Sequence, residues 1–482
     1  MKIFKTEYIL CFGLLFTLAC TQDFEEINTN PTAPNQVEPS LLLRQVLWNS
    51  AEEMSYEGFV AGNLLGQYFT AIDFNLFDRH SLTEPQFGGN PWPVLYRNLR
   101  DNEILLQLAL ENPTQAVYEG PARILKAYLA ATLTDIYGDV PYSEALQGRA
   151  GITRPSYDQQ AEIYLGQNGI LENLQQAKSA IKAYSGAQQL QGDIIYNGDL
   201  EGWLRLANSL LIKYSIRIAQ KQSPNSLLQS LFEEDDFIQS NTQNASFDFS
   251  AGQPNNFRMA NLRTGDFNLF VMSETAADIL QELEDPRISV FFRPAENLNG
   301  NYQGLLNGPD ASNLSISVAD YSLTGSIFRE ETERLDGTYM SAWETYFFLA
   351  EAAQKGWIEA DAKALYEQAV NLAFDYWGAA LPSTYLSNGP AAFKENDQAA
   401  LEQILTQKWI ANIINGYEGW VEYRRTGYPK LKTISASLNA NLIPVRMPYP
   451  TDEAALNTSH FEQAASSTNN NSINFPVWWD QN

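Results

Sequence analysis

The chain is short of the residues that carry most catalytic and metal chemistry. Only two cysteines and two histidines occur in 482 residues. Cys11 and Cys20 both lie close to the start, and His80 and His460 are far apart, so neither a disulfide framework nor a usual zinc site is available. Positive charge is also scarce. Lysine and arginine number 31 against 57 acidic residues, a net charge of −26. Such a chain repels phosphate backbones and anionic membrane surfaces, which sets nucleic acid aside as a partner. No run reaches the roughly 18 apolar residues that a membrane-spanning helix needs. HExxH, Walker A, GxGxxG and GxSxG are absent. FEEDDF at 232–237 reads as a solvated acidic turn and not as a calcium loop. No catalytic residue, metal or cofactor is therefore assigned. His80, in FDRHSLTEP, reads as a solvated loop histidine, because no nucleophile or orienting group accompanies it. A carboxylate pair for glycoside hydrolysis stays open, since spacing in sequence does not report the ~5 or ~9 Å separation that such chemistry requires.

What is present begins with a leader. Lys2 and Lys5 precede an apolar run, Tyr8 to Ala19, that ends in a small residue directly before Cys20. The run has the length of a signal-peptide core and is too short to span a bilayer. Residues 1–19 read as a removed lipoprotein signal and Cys20 as the lipidated residue, anchored by about 0.8 kcal/mol per buried CH₂ of its acyl chains. Thr17 stands where leucine is usual in such signals. Residues 20–40, broken by Pro31, Pro34 and Pro39, read as an extended tether. Residues 41–482 then form one domain.

Helical periodicity dominates that domain. GPARILKAYLAATLTDIY carries Ile124, Leu125, Tyr128, Leu129, Leu133 and Ile136 on one stripe, and Gly138 and Pro141 end it. Asp199 is placed to cap a helix with Trp203, Leu206, Leu210 and Tyr214 on one face. Two consecutive helices near 340–378 alternate small and large apolar residues, as tetratricopeptide-like pairs do when they nest. The fold class is all-α dominated, a tetratricopeptide-like helix-pair scaffold with a loop-rich second region. Long Asn/Gly/Ser-rich stretches fill 70–92, 235–270, 293–338 and 430–482. Loops of that length are usually functional or disordered, and their aromatic content disfavours disorder.

Aromatic and amide groups are abundant: 10 Trp, 24 Tyr and 25 Phe. A sugar offers flat CH faces and a rim of hydroxyls, so its binder needs aromatic platforms beside amide, carboxylate or guanidinium groups. Aromatics at helical spacing are core; only those in the loops count, namely Phe74, Phe77, Phe87, Trp92, Tyr302, Tyr321 and Phe328. The ligand-binding residues expected are Phe77, Trp92, Tyr302 and Tyr321, with Asp73, Arg79 and Asn301 beside them; Asn75, Asn90 and Asp320 are further neighbours. The ligand region is thus mainly 70–92 and 235–338. Trp92 also begins the helix of WPVLYRNL and competes for a place in the core.

Several segments, in order, are similar to those of the SusD/RagB family of outer-membrane lipoproteins, in its SusD-like branch. They are FEEINTNPTAP, TDIYGDVPYSEAL, GWLRLANSLLIKYSIRIA, LEDPRI, YFFLAEAAQKGW, QKWIANIINGYEGWVEYRRTGYP, IPVRMPYPTDE and the closing VWWD. The resemblance implies four tetratricopeptide-like helix pairs under a loop-rich face. It implies a binding protein and not an enzyme, lipid-anchored at the outer membrane and facing the exterior. Its partner would be a SusC-like TonB-dependent transporter that it caps as a lid, delivering an oligosaccharide or other nutrient. No binding residue carries over by motif. Asp285, Pro286 and Arg287 read as a turn, and Arg424 and Arg425 as groups that tie down carboxylates. A secreted helical polysaccharide hydrolase and a peptide-binding helical-repeat adaptor remain the alternatives.

Overall fold

A computed structural model describes residues 37–83, 88–310, 312 and 316–480. The leader, Cys20, most of the tether and Phe87 lie outside the described residues. Helix α1, Pro39–Glu57, starts on a proline and passes into a π-helical turn, Gly58–Gly62. Helices α2 (Trp92–Glu111), α3 (Glu119–Tyr137), α4 (Ile170–Ala183) and α5 (Leu200–Arg217) follow, each packed on its predecessor. Helix α6, Glu274–Glu282, belongs to the loop-rich region. Helices α7 (Ala342–Gln354), α8 (Ala362–Trp377), α9 (Asp397–Ala411) and α10 (Glu418–Thr426) complete the scaffold, with α7 against α5, α8 and α9. The expected Gly138 stop and Asp199 cap hold. Gly138 ends α3 at φ +80°. Asp199, Ser341 and Asp361 cap α5, α7 and α8 with their side chains. Among the described residues no helix is long and apolar enough to cross a membrane.

Charge closes the scaffold. Lys213 of α5 meets Glu344 of α7 at 3.1 Å and Glu418 of α10 at 2.9 Å. Arg217 reaches Asp135 of α3, Glu418 at 2.7 Å and Glu422 at 3.2 Å. Arg425 holds Glu351 at 2.6 Å and Glu422 at 2.7 Å, and Lys408 of α9 pairs with the same Glu422. These groups are nearly all buried, so each charge depends on its neighbours to offset desolvation. Arg425 therefore ties down carboxylates as expected. Arg424 also donates to carbonyls, 2.7 Å to Val445 and 2.6 Å to Asp135, and its guanidinium lies 3.8 Å over Trp420. Asp285, Pro286 and Arg287 do form a turn, closed by the Ile288 amide on the Asp285 carbonyl at 3.1 Å, and within it Asp285 and Arg287 make a fully buried ion pair at 2.6 Å, which Tyr385 joins at 2.7 Å.

The loop-rich region has a core of its own. Phe59, from the π-helical turn, is ringed by Phe69, Phe257, Phe267, Phe270 and Phe328 at centroid distances of 4.9–5.8 Å. Two small antiparallel ladders frame it: β1 (Phe69–Ala71) pairs with β3 (Phe270–Met272), and β2 (Ala245–Asp248) with β4 (Asp336–Met340). The two regions meet at contact distance. A Cβ on Gly62 would sit 2.0 Å from the Gly416 carbonyl, so only glycine allows this approach.

Candidate ligand-binding surface

The first loop is held at both ends by buried carboxylates. Asp78 Oδ2 accepts from Thr70 Oγ1 at 2.6 Å and from the amides of Gly308 at 2.7 Å and Ala71 at 3.2 Å. Its Oδ1 accepts from Asn307 Nδ2 at 2.6 Å. Burial pushes Asp78 up to about 6 against those donors. At the far end, Glu57 Oε2 accepts from the Gly89 amide at 2.8 Å and from the Tyr417 hydroxyl, and burial pushes it up to about 7. Asn75 is buried and donates to the Pro309 carbonyl at 2.6 Å. Arg79 is half-buried and donates from Nε to the Ala436 carbonyl at 2.9 Å. Asp73 is exposed and caps the Phe74 amide at 2.7 Å. His80 is not a solvated loop group. It is buried at φ +62°, its Nδ1 lies 3.1 Å from the Leu442 carbonyl, and burial pushes the imidazole down to about 4.

Two expected platforms are core instead. Phe77 is 4% exposed, and a Cβ on Gly89 would meet its ring at 2.4 Å. Trp92 is 7% exposed, boxed by Tyr96 at 4.8 Å, Tyr137 at 4.9 Å and Tyr449 at 6.3 Å. Phe328 belongs to the Phe59 cluster. The physical reason is shared: loops of this length need a hydrophobic interior, and their own aromatics supply it.

The third loop keeps its candidates at the surface. Tyr302 and Tyr321 are half-buried, and Asn301 and Asp320 are exposed. Two segments run side by side there, with the Ser322 amide donating to the Gln303 carbonyl at 2.9 Å and the Gln303 amide to Ser322 Oγ at 3.0 Å. Asn297 donates to Asp320 at 2.7 Å. Partial burial moves the Tyr302 hydroxyl up. The structure thus brings Asn301, Tyr302, Asp320 and Tyr321 into one patch. Asp73 and Arg79 belong to the first loop, which Asp78 and Asn75 bind to the 307–309 stretch of the same third loop.

Nothing in the sequence reading pointed to a cleft of 590 Å³ at the seam between α6 and α9. Asp278, Glu282, Lys394, Glu402, Lys430 and Lys432 line it over Ile279, Leu283 and Pro429. Lys432 bridges Glu274 at 2.7 Å and Asp278. Gln281, next to Glu282, donates to the Tyr302 carbonyl at 3.2 Å, which ties the tyrosine patch to the helix forming one wall. Its residues come from three distant stretches with no shared periodicity, so no sequence signal groups them. Among the described residues no cluster of His, Cys, Asp and Glu is arranged to hold a metal.

A mostly helical scaffold carrying a half-wrapped loop layer, with polar grooves at their seam, defines a class of helical binding scaffolds. Residues 31–450 match the SusD-like family described as starch-binding and associating with the outer membrane, and the chain belongs to that family. A chitin-binding protein of known structure is similar at 25% identity and a TM-score of 0.78, over 92% of this chain and 100% of that one. A SusD homologue from Bacteroides fragilis shares the fold at 22% identity and a TM-score of 0.79, over 92% of this chain and 100% of that one. A chitin-binding SusD homologue from Flavobacterium johnsoniae does so at 21% identity and 0.77, over 92% and 99%. No curated protein matches the sequence.

Proposed function

We propose that this protein binds an oligosaccharide at the outer surface of the outer membrane, held there by lipid on Cys20, and passes it to a SusC-like TonB-dependent barrel that it caps. The observation that carries the reading is the surface pair Tyr302 and Tyr321, set among Asn301 and Asp320 on a family scaffold described as starch-binding. Half-buried rings with exposed amide and carboxylate neighbours suit the CH faces and hydroxyls of a sugar. Asp73 and Arg79 extend the contacts from the first loop. Each ring stacked on a sugar gains about 1 kcal/mol at ~25 cal/mol/Å², so several must act together. The chitin-binding relatives make β-linked N-acetylglucosamine chains the first ligands to try, with α-glucans second.

Calorimetric titration with chito- and malto-oligosaccharides tests the reading, with a reducing-end assay beside it. Binding without release of reducing ends is expected. Release of reducing ends that Glu282→Gln or Glu402→Gln abolishes would instead place a hydrolase in the seam cleft. For the anchor, Cys20→Ser should move the protein from the membrane fraction to the soluble one with its helical circular dichroism unchanged. Mild detergent extraction of native membranes should bring down a large β-barrel with the wild-type chain; recovery of monomer alone would contradict the lid.

A further inference from the structure

The β2–β4 ladder pins the loop layer to the scaffold. β4 runs into α7 at Ser341, and Asn244, next to β2, accepts from the Ala342 amide through Oδ1 at 2.8 Å. Past the other end of β2, Phe249 lies 5.8 Å from Phe257 of the Phe59 cluster. β4 rests on α1 so closely that a Cβ on Gly337 would meet the Ala51 Cβ at 2.6 Å. In this ladder Asp248 stands directly opposite Asp336. The Phe249 amide donates to the Leu335 carbonyl at 3.1 Å, one residue beyond each aspartate. The aspartates are therefore a non-hydrogen-bonded pair, the kind whose side chains approach closest, with Cβ atoms about 5 Å apart. Two like charges facing each other there repel. Yet the two carboxyls are hydrogen-bonded to each other. Ionised carboxylates only accept, so that bond needs one proton between them.

The surroundings supply hydrogen-bond donors to this pair but no neutralising charge. Asp336 is half-buried and accepts from Ser246 of β2 and Tyr376 of α8, while Asp248 is exposed. The other charged groups nearby are engaged elsewhere. On α8, Asp375 accepts from Asn241 Nδ2 at 3.0 Å. Before β4, Arg334 donates to Glu331 at 2.6 Å and to the Trp377 carbonyl at 3.4 Å. On α1, Glu52 and Glu53 share Arg258 at 3.8 and 2.7 Å. No lysine or arginine forms an ion pair with Asp248 or Asp336 among the described residues. A cavity of 20 Å³ that Asp336 lines with Thr338, Trp343 and Tyr376 has room for one water and none for a hydrated cation. Burial, and then the facing Asp248, push Asp336 from the ordinary 3.8 up to about 7. A carboxyl raised in the folded state contributes its stability in full below the unfolded value and loses it as pH rises through the folded one. Here that window runs from about 4 to about 7.

We infer that Asp248 and Asp336 form a proton-sharing clasp across the β2–β4 ladder, which seats the loop layer on the scaffold in mild acid and loosens it as the shared proton leaves. The clasp goes beyond the receptor reading and depends on neither Tyr302 nor Tyr321. Hydrogen exchange at the Phe249 amide and the amides of β2 and β4, corrected for intrinsic rates, tests it. Opening the ladder releases the shared proton, so the opening equilibrium should rise about a hundredfold between pH 5 and pH 8. Asp248→Asn keeps the volume and lets the new amide donate to Asp336 without a shared proton. That variant should cut the rise to less than about threefold. Glu57→Gln, which removes another buried carboxyl that titrates near neutrality, should leave the rise in place. In the wild type, ¹³C-carboxyl resonances should show Asp248 and Asp336 moving together, with one step near neutral pH. Two carboxyls that both titrate below pH 5 overturn the clasp, whatever the variants do. So does a rise that Asp248→Asn leaves intact or that Glu57→Gln abolishes. Protection restored at pH 8 by millimolar calcium would also overturn it, because the pair would then hold a cation and not a proton.

Discussion

The helical scaffold and the loop layer are closed by opposite means. The scaffold is closed by charge: Arg217 and Lys213 of α5, Lys408 of α9 and Arg425 of α10 hold the carboxylates of α10 and α7. The loop layer is closed by phenylalanines around Phe59, and its first loop by the carboxylates of Asp78 and Glu57, which face amides and hydroxyls with no cation at contact among the described residues. The carboxylates held by Arg425 and those under the first loop therefore answer pH in opposite senses, although burial also raises Asp135 and Glu344 within the scaffold. Burial alone would raise Glu351, but Arg425 pulls it down to about 2, and Glu422 is held well below its usual range by Arg425 and Lys408. A folded-state pKa below the unfolded one gives stability that is present at neutral pH and lost in acid. Glu57 and Asp78 sit above their unfolded values, so their contribution is full in mild acid and lost as pH rises through about 7 and about 6.

The largest expected effect sharpens the first half of the comparison. Arg425→Met leaves Glu351 and Glu422 buried with less compensation and should cost about 3–5 kcal/mol in urea unfolding. A loss under about 1 kcal/mol would mean that the ion pairs are incidental to the scaffold. Phe59→Ala empties the centre of the loop-layer cluster and should cost about 3–4 kcal/mol. If the two regions are separately closed, proteolysis of that variant should begin within 245–338, while cleavage spread evenly over the chain would show one indivisible core.

Next comes the pH contrast. Relative to Glu57→Gln, the wild type should lose about 2–3 kcal/mol of stability between pH 5 and pH 8. A wild type that gains stability relative to the variant over that range would reverse the assigned sign. The smallest stability effect belongs to the surface. Tyr302→Ala and Tyr321→Ala should leave the melting temperature nearly unchanged, whereas Trp203→Ala, fully buried with its Nε1 donating to Asp193 at 2.9 Å, should cost about 3–5 kcal/mol.

The scaffold was legible because its cues are local. Asp199 caps α5, Gly138 ends α3, and the Ala/Phe alternation of α7 packs as nesting helices do. The loop layer was legible as a region and not in its interior. Phe77, Phe328 and Trp92 carry no periodicity that separates a buried ring from a displayed one, and their burial depends on partners such as Gly89, Phe59 and Tyr449 far along the chain. His80 was misread for the same reason, since the group that covers it lies at Leu442. Tyr302 and Tyr321 stay half-buried in neighbouring segments joined by the Ser322 amide on the Gln303 carbonyl and the Gln303 amide on Ser322 Oγ. The seam cleft has no contiguous signature; it is assembled from distant stretches.

Calorimetric titration of the wild type and a Tyr302→Ala, Tyr321→Ala double variant with a chito-oligosaccharide and a malto-oligosaccharide tests the central claim most directly. One series should bind the wild type, and the double variant should lose at least about tenfold in affinity, or 1.4 kcal/mol, at an unchanged melting temperature. Equal affinity in the two proteins, or loss of binding accompanied by unfolding, would contradict a ligand surface carried by those rings.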